Sequence, residues 1–351
     1  MNMEQENNSG KILRSTFEKT IWKQTGAQRE EILAGPRYGV DVSVVRLAGG
    51  LLMASASDPA SLIPGLGLAE SAWLTVHLTA NDLATTGHRP MYAQFVLNLP
   101  LAVTDRDFQE YWEFIHRYCD QIGVAITGGH TGKVYGQEST FAGGVTMSLI
   151  ADDVLLSSGM LPGQSLLVTK GSAIAACAIL ARSFPSTVTQ RLGAPAWQRL
   201  CDSFWSTSVL QEALIAYETG KVSAMHDVTE GGVVGAIAEM CGAAGCGAVI
   251  REENLPVNEA VREMASLFGF DPIRSLGSGA LLIACEKKDE KLVIDRLSEK
   301  GITAWNIGYT TDISQGIMLR NGITGAQESV TGNGRDSYWK AYANAAGKGW
   351  K

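Results

Sequence analysis

The chain has 351 residues, of which 45% are hydrophobic and 39 are glycine, and its formal net charge is −7. This length suits two domains of ordinary size, and the composition is typical of a globular, glycine-punctuated α/β protein rather than a disordered one. The acidic balance, with no run of more than two basic residues, argues against nucleic acid as the main partner.

The sequence also argues against a membrane protein and against a disulfide-rich secreted protein. No stretch has the apolar length that spans a bilayer, and residues 1–10 are polar, so we expect a cytoplasmic protein with a frayed start. The six cysteines are widely spaced and show no CxxC pair, which favours reduced core cysteines over a zinc site.

The first predicted element is a β-hairpin over residues 40–58 with a Gly49-Gly50 turn. Asp41 begins its first arm and Asp58, before Pro59, ends its second. Opposed carboxylates repel each other, so the two either point apart, as turn residues on the surface do, or have a cation between them.

An amphipathic helix is predicted from Leu68 to Thr86, with Gly87 and Pro90 as its stop signals. Asn81 and Asp82 fall where the apolar neighbours predict core. A buried carboxylate needs partners, which a divalent metal, a ligand or local backbone groups would supply.

A strand at 91–100, a helix at 104–123 and a short strand at 124–127 follow. The next residues, Gly128-Gly129-His130-Thr131-Gly132-Lys133, predict a turn that is either a phosphate loop or a plain tight turn. Its spacing is not that of a Walker P-loop.

A composition shift near residues 151–165 predicts a domain boundary, which gives a tail and entry helix at 1–30, a first domain at 31–155 and a second at 156–351. The second half alternates strands and helices, including a helical region at 195–219, and ends in a tail that Trp339 and Tyr342 would dock.

Gly231 and Gly232 lie between a strand and a helix, where free N–H groups favour an anion. His226 is either an oriented imidazole or a structural histidine.

Taken together, the segments from about Gly39 to Leu319 resemble the superfamily of aminoimidazole ribonucleotide synthase, thiamine-monophosphate kinase, selenophosphate synthase and the hydrogenase-maturation dehydratase. The motifs that carry the resemblance are Gly39-Val40-Asp41, Ser57-Asp58-Pro59, Asn81-Asp82 with Gly87 and Pro90, Gly128-Gly129-His130-Thr131, Pro162-Gly163 with Val168-Thr169-Lys170-Gly171, His226-Asp227-Val228-Thr229-Glu230-Gly231-Gly232, and Gly277-Ser278-Gly279-Ala280.

The resemblance implies a two-domain α+β or α/β protein of the PurM type. Its N-terminal sheets would form a barrel at the centre of a homodimer, and its C-terminal domain would be an α/β sandwich. It also implies that ATP and Mg²⁺ bind in an acidic cleft and that the terminal phosphoryl group passes to an oxygen of a small-molecule substrate.

The same resemblance assigns the site residues. Metal ligands would be Asp41, Asp58 and Asp82, and catalytic groups would be Asp82, Asp58 and His226. The nucleotide would be bound by Asn81, Asp82, Gly128, Gly129, His130, Thr131, Gly231 and Gly232.

The hydrogenase-maturation branch is the most similar, and it implies a maturation-protein partner. Two features depart from it: the sequence ends without that branch's Pro-Arg-Ile-Cys tail, and His130 replaces an acidic residue. The leading hypothesis is therefore an ATP-dependent enzyme that phosphorylates a small molecule. The alternatives are a thiamine-monophosphate kinase, although Val40-Asp41 supplies one of its two aspartates, and a non-catalytic nucleotide-binding scaffold.

Overall fold

The computed structural model describes residues 10–137, 139–331 and 336–351, and the predicted frayed start lies almost wholly outside them. The chain divides into two compact units. The N-terminal unit contains Arg29–Gly35 and Asp41–Val154, and the C-terminal unit contains the described residues up to Gln28, Pro36–Val40 and Leu155–Lys351. Within the described part of the chain, each helix is too short or too polar to cross a lipid bilayer.

The N-terminal unit is a six-stranded sheet with two long helices on one face. Its elements are β1 (Ile32–Ala34), β2 (Ser43–Arg46), β3 (Leu52–Ser61), α2 (Leu68–Ala84), β4 (Tyr92–Pro100), α3 (Asp105–Ile122), β5 (Ala125–Val134) and β6 (Phe141–Ala151); the helix numbering starts with α1 (Arg14–Thr20) of the other unit. The strand order is β1-β2-β3-β6-β4-β5, so the sheet is open and ends in two edge strands.

The local signals in this half act as the sequence predicts. Thr104 forms a capping box with Asp107 at the start of α3, and Gly123 ends that helix in the left-handed conformation. Tyr111 of α3 donates a hydrogen bond of 2.7 Å to the carbonyl oxygen of Ser61, which ties the helix layer to β3.

The glycine-rich turn predicted at residues 128–133 is wrong, because these residues lie inside the ten-residue strand β5, which runs parallel to β4. A Cβ atom on Gly129 would lie 1.8 Å from the carbonyl oxygen of Phe95. Glycine is therefore needed here for close approach of two strands, which is a use of glycine that a sequence does not distinguish from a turn.

The predicted end of the hairpin near Asp58 is also wrong. Strand β3 continues through Asp58 and Pro59 to Ser61, and its register with β6 shifts between Pro59 and Ser61. A proline donates no ladder hydrogen bond, and the irregularity accommodates it.

The C-terminal unit is a seven-stranded mixed sheet with helices packed against it. After α1, its elements are β7 (Ser165–Thr169), α4 (Ile174–Ser183), α5 (Pro185–Leu192), α6 (Ala194–Asp202), α7 (Leu210–Glu218), β8 (Val222–Asp227), α8 (Gly232–Ala244), β9 (Cys246–Arg251), α9 (Glu259–Phe268), β10 (Leu281–Cys285), α10 (Glu290–Ser298), β11 (Ala304–Asp312), β12 (Ile317–Arg320), β13 (Gln327–Ser329) and α11 (Ser337–Gly347). The strand order is β13-β12-β9-β11-β7-β10-β8.

The helical region predicted at 195–219 is interrupted. A 3₁₀ turn at Ser203–Thr207 separates α6 from α7. The hydroxyls of Ser203 and Thr207 donate to the carbonyl oxygens of Leu200 and Phe204, and such local bonds compete with a continuous helix.

Candidate functional site

Asp58 lies on the helix-covered face of the N-terminal sheet. Side chains alternate along a strand, and Ala54, Ala56 and Ala60, which share its face, are 5% exposed or less. Asp58 itself is half-buried among them. A carboxylate on this face is displaced from bulk water, so it requires compensating donors or a cation.

Asn81 and Asp82 lie in the last turn of α2, at about the level of Asp58. The helix and the strand are joined at Thr75, whose hydroxyl accepts a hydrogen bond from the backbone N–H of Ser61 at 2.8 Å. This bond serves as the reference point for the two heights. From this reference point, the seven helical residues to Asp82 span about 10 Å. The three strand residues from Ser61 back to Asp58 also span about 10 Å. Since α2 packs back along β3, these lengths indicate that Asp58 and Asp82 are at similar heights along the covered face.

Asp41 immediately precedes β2, in which Ser43 pairs with Ser55 of β3. Continued by two residues, this antiparallel register would set Asp41 opposite Ser57, and therefore on the face of the sheet away from Asp58. The structure therefore relates Asp58 to Asp82, whereas the extended register separates Asp41 from both by the thickness of the sheet.

The β5 residues are divided between the two faces of the sheet. Gly129 shares a row across the sheet with Phe95, Val145 and Asp58, on the helix-covered face. His130 instead pairs with Val96, which is 45% exposed on the open face. Alternation thus puts His130 on the face opposite Asp58, together with Gly128, whereas Thr131 shares the face of Gly129.

In the C-terminal unit, His226 of β8 belongs to a buried polar chain. Its Nε2 atom lies 3.1 Å from Oε2 of Glu239 on α8, and its Nδ1 atom lies 3.5 Å from the Ser157 hydroxyl. An ionised carboxylate only accepts, so Nε2 donates and Nδ1 is left to accept from Ser157. His226 is 1% exposed, and this setting matches the structural-histidine alternative.

Glu239 also binds the N-terminal segment. The Lys11 ammonium lies 3.3 and 3.4 Å from its two oxygens and 3.0 Å from the hydroxyl of Thr229. Burial alone would raise the pKa of Glu239, but Lys11 and His226 together lower the pKa to about 2. Burial, and after it the Glu239 carboxylate, raises the pKa of Tyr38 to about 12.

The glycine turn before α8 is formed as predicted, and Gly231 and Gly232 both have positive φ angles. A Cβ atom on Gly232 would lie 2.6 Å from the carbonyl oxygen of Ile273, so no other residue fits. The anion expected at this turn is supplied by the chain itself, since the Gly231 N–H donates to Oδ2 of Asp336 at 2.8 Å.

Sequence reasoning missed Lys11, Glu239 and Asp336. For Glu239 a signal existed, because it is the single charged residue in the otherwise apolar helix α8 and therefore needed a buried partner. Lys11 and Asp336 lie near the two ends of the sequence, and nothing local relates either to the turn before α8.

The cysteines are all buried and unpaired, as predicted. Burial raises the pKa of Cys241 to about 12 and raises that of Cys246 as well. Since the thiolate is the reactive form, neither is suited to act as a nucleophile.

Two parts of the sequence match the AIR synthase related proteins: residues 39–148 match the N-terminal domain and residues 162–318 match the C-terminal domain. A putative hydrogenase expression/formation protein of Methanocaldococcus jannaschii is 26% identical over 255 residues, which cover 70% of this chain and 72% of that protein. The carbamoyl dehydratase HypE of Cupriavidus necator is 27% identical over 269 residues, covering 72% and 71%.

Solved structures share the fold. A HypE–HypF complex matches with a TM-score of 0.70 and 17% identity, covering 90% of this chain and 99% of that chain. A HypE structure in complex with ATP matches with a TM-score of 0.64 and 18% identity, covering 94% and 95%. Thiamine monophosphate kinase of Aquifex aeolicus matches with a TM-score of 0.65 and 14% identity, covering 94% and 100%.

Proposed function

Because the chain belongs to the AIR synthase related family, with its similarities on the HypE-like branch, we propose that it binds ATP with Mg²⁺ and transfers the terminal phosphoryl group to an oxygen of a small molecule. The ATP complex of a HypE structure with this fold supports the choice of nucleotide.

The placement of Asp58 and Asp82 carries the proposal. Two acidic side chains, one from a strand and one from the helix packed on it, would lie at one level on the covered face of the sheet, as the bond between Thr75 and Ser61 and the rise per residue of the two elements indicate. Like charges gathered in this way are stable when a cation compensates them, and carboxylate oxygens are the ligands that magnesium prefers. The sequence also predicts Asp41 as a ligand, but the extended register puts it on the other face of the sheet, so it is not assigned to this metal.

The bound metal would neutralise charge on the transferring phosphoryl group. Residues of this chain would position the nucleotide and the acceptor. Asn81 would orient Asp82, and the backbone of Gly129 and the hydroxyl of Thr131 would contact the nucleotide on the covered face. Gly128 and His130 lie on the open face, so they are not assigned to a nucleotide bound beside Asp58. An imidazole is a poor magnesium ligand, so His130 is not assigned to the metal.

His226 would support the turn that leads to Gly231 and Gly232 rather than touch the nucleotide. Its burial and its two internal partners hold the end of β8 in place. In this role it acts through the backbone N–H groups of the turn.

We also propose a homodimer formed through the open face of the N-terminal sheet. Tyr92 and Val96 of β4 are 39% and 45% exposed, and Ile150 of β6 is 37% exposed. Apolar side chains on one exposed sheet face mark an interaction surface. A Val96→Asp variant should be monomeric by analytical ultracentrifugation, and a variant that remains dimeric would reject this face.

Isothermal titration calorimetry with Mg-ATP tests the binding function. We expect Asp82→Asn to abolish magnesium-dependent binding while the circular dichroism spectrum is unchanged. Asp120→Asn, an exposed aspartate on α3 of the same unit, is the matched control and should bind like the wild type. Unchanged affinity in Asp82→Asn would remove that residue from the site.

A non-catalytic scaffold is the second candidate, favoured by the carboxylate of Asp336 that already occupies the Gly231 N–H. The HypE–HypF complex suggests a maturation protein as its partner. Mg-ATP binding without product across a panel of phosphate acceptors, including thiamine monophosphate, would favour the scaffold over the enzyme.

A further inference from the structure

The turn before α8 is closed by a side chain from the far end of the chain. Oδ2 of Asp336 accepts from the Gly231 N–H at 2.8 Å, and Oδ1 accepts from the N–H of Tyr338 at 2.7 Å. The backbone N–H of Leu276 bonds the same carboxylate. One carboxylate therefore joins the start of α8, the start of α11 and the turn near residue 276.

We propose that Asp336 is an autoinhibitory clasp, which occupies the donor that a phosphate oxygen of the nucleotide would use at this turn. The inference rests on the proposed ATP binding and adds how that binding is controlled. A backbone N–H has one hydrogen to donate, so Asp336 and a phosphate oxygen exclude each other at Gly231.

The surroundings make this carboxylate displaceable. Burial, together with the nearby Glu230 carboxylate, outweighs three backbone donors and raises the pKa of Asp336 to about 6. The ionised form of Asp336 is therefore less stable than the ionised form of an exposed aspartate. Lys11 adds a positive charge to the same turn, since its ammonium lies 3.0 Å from the hydroxyl of Thr229.

Release of Asp336 from Gly231 would change the first turn of α11 rather than the whole segment at 336–351. Further along, Tyr342 packs on Phe184 at 5.4 Å between ring centroids and Trp350 packs on Phe268 at 5.1 Å. These contacts would hold the later part of the segment in place when Asp336 is displaced.

The test measures Mg-ATP affinity by calorimetry in the full chain. Asp336→Ser keeps a good N-cap for α11 but removes the charge and the reach to Gly231. We expect it to bind Mg-ATP at least fivefold more tightly than the wild type. The matched control is Asp312→Ser, which removes the same charge from another N-cap aspartate of this unit and should leave the affinity unchanged.

Each outcome is decisive. Wild-type binding with a gain of less than fivefold, or with weaker binding, in Asp336→Ser overturns the clasp and leaves the proposed function standing, whereas no binding by either protein overturns both. Should Asp336→Ser fail to fold, hydrogen exchange of the wild type replaces it. Saturating Mg-ATP should lower the protection of amides at the start of α11, and unchanged or higher protection rejects the clasp.

Discussion

Replacing Glu239 by glutamine tests whether the buried network stabilises the C-terminal unit through charge. Glu239 is 6% exposed, and its pKa is lowered from 4.5 to about 2. A shift of this size corresponds to about 3 kcal/mol of stability at pH 7. Glutamine keeps the shape but lacks the charge, so the variant should lose most of that amount.

The pH dependence follows from the sign of the shift. A carboxyl group with a lowered folded-state pKa stabilises the protein above its unfolded pKa of about 4.5, and the contribution is lost as the pH falls toward 2. The difference between wild type and Glu239→Gln should therefore shrink from about 3 kcal/mol at pH 7 to about 2 kcal/mol at pH 3.5.

Urea unfolding at both pH values, followed by hydrogen exchange of peptides from β8 and α8, measures this difference for the C-terminal unit. Glu263→Gln, an exposed glutamate on α9, is the control and should change stability by less than about 0.5 kcal/mol. A difference for Glu239→Gln that stays constant or grows as the pH falls would refute the electrostatic reasoning.

Three further predictions concern single positions. Gly129→Ala should destabilise the N-terminal unit by more than about 2 kcal/mol in thermal unfolding, because its Cβ atom would overlap a carbonyl oxygen of β4. Gly132→Ala on the same strand meets only an ordinary contact and should have little effect. Thr104→Ala should cost about 1 kcal/mol by loss of the cap, and Thr104→Ser should restore most of it. Cys177 and Cys241, whose pKa values burial raises to about 12, should resist thiol reagents at pH 8 until urea unfolds the protein, and rapid labelling of the native state would contradict this.

Local signals determined much of the architecture in advance. Gly87 and Pro90 follow the end of α2, and Thr104 and Gly123 delimit α3, because caps and stop residues act within one helical turn. The order of the motifs also sufficed for the family, since each motif is a short local segment whose position in the chain is visible without coordinates.

Only the tertiary structure decided which side chains meet. Strand register places Gly129 on the face of Asp58 and His130 on the other, and a shift of one residue would reverse this. Likewise, the partners of Glu239 lie 228 residues before it, at Lys11, and 13 residues before it, at His226. Short-range propensities carry no information about contacts over such separations, because those contacts are selected by packing and charge compensation in the folded chain.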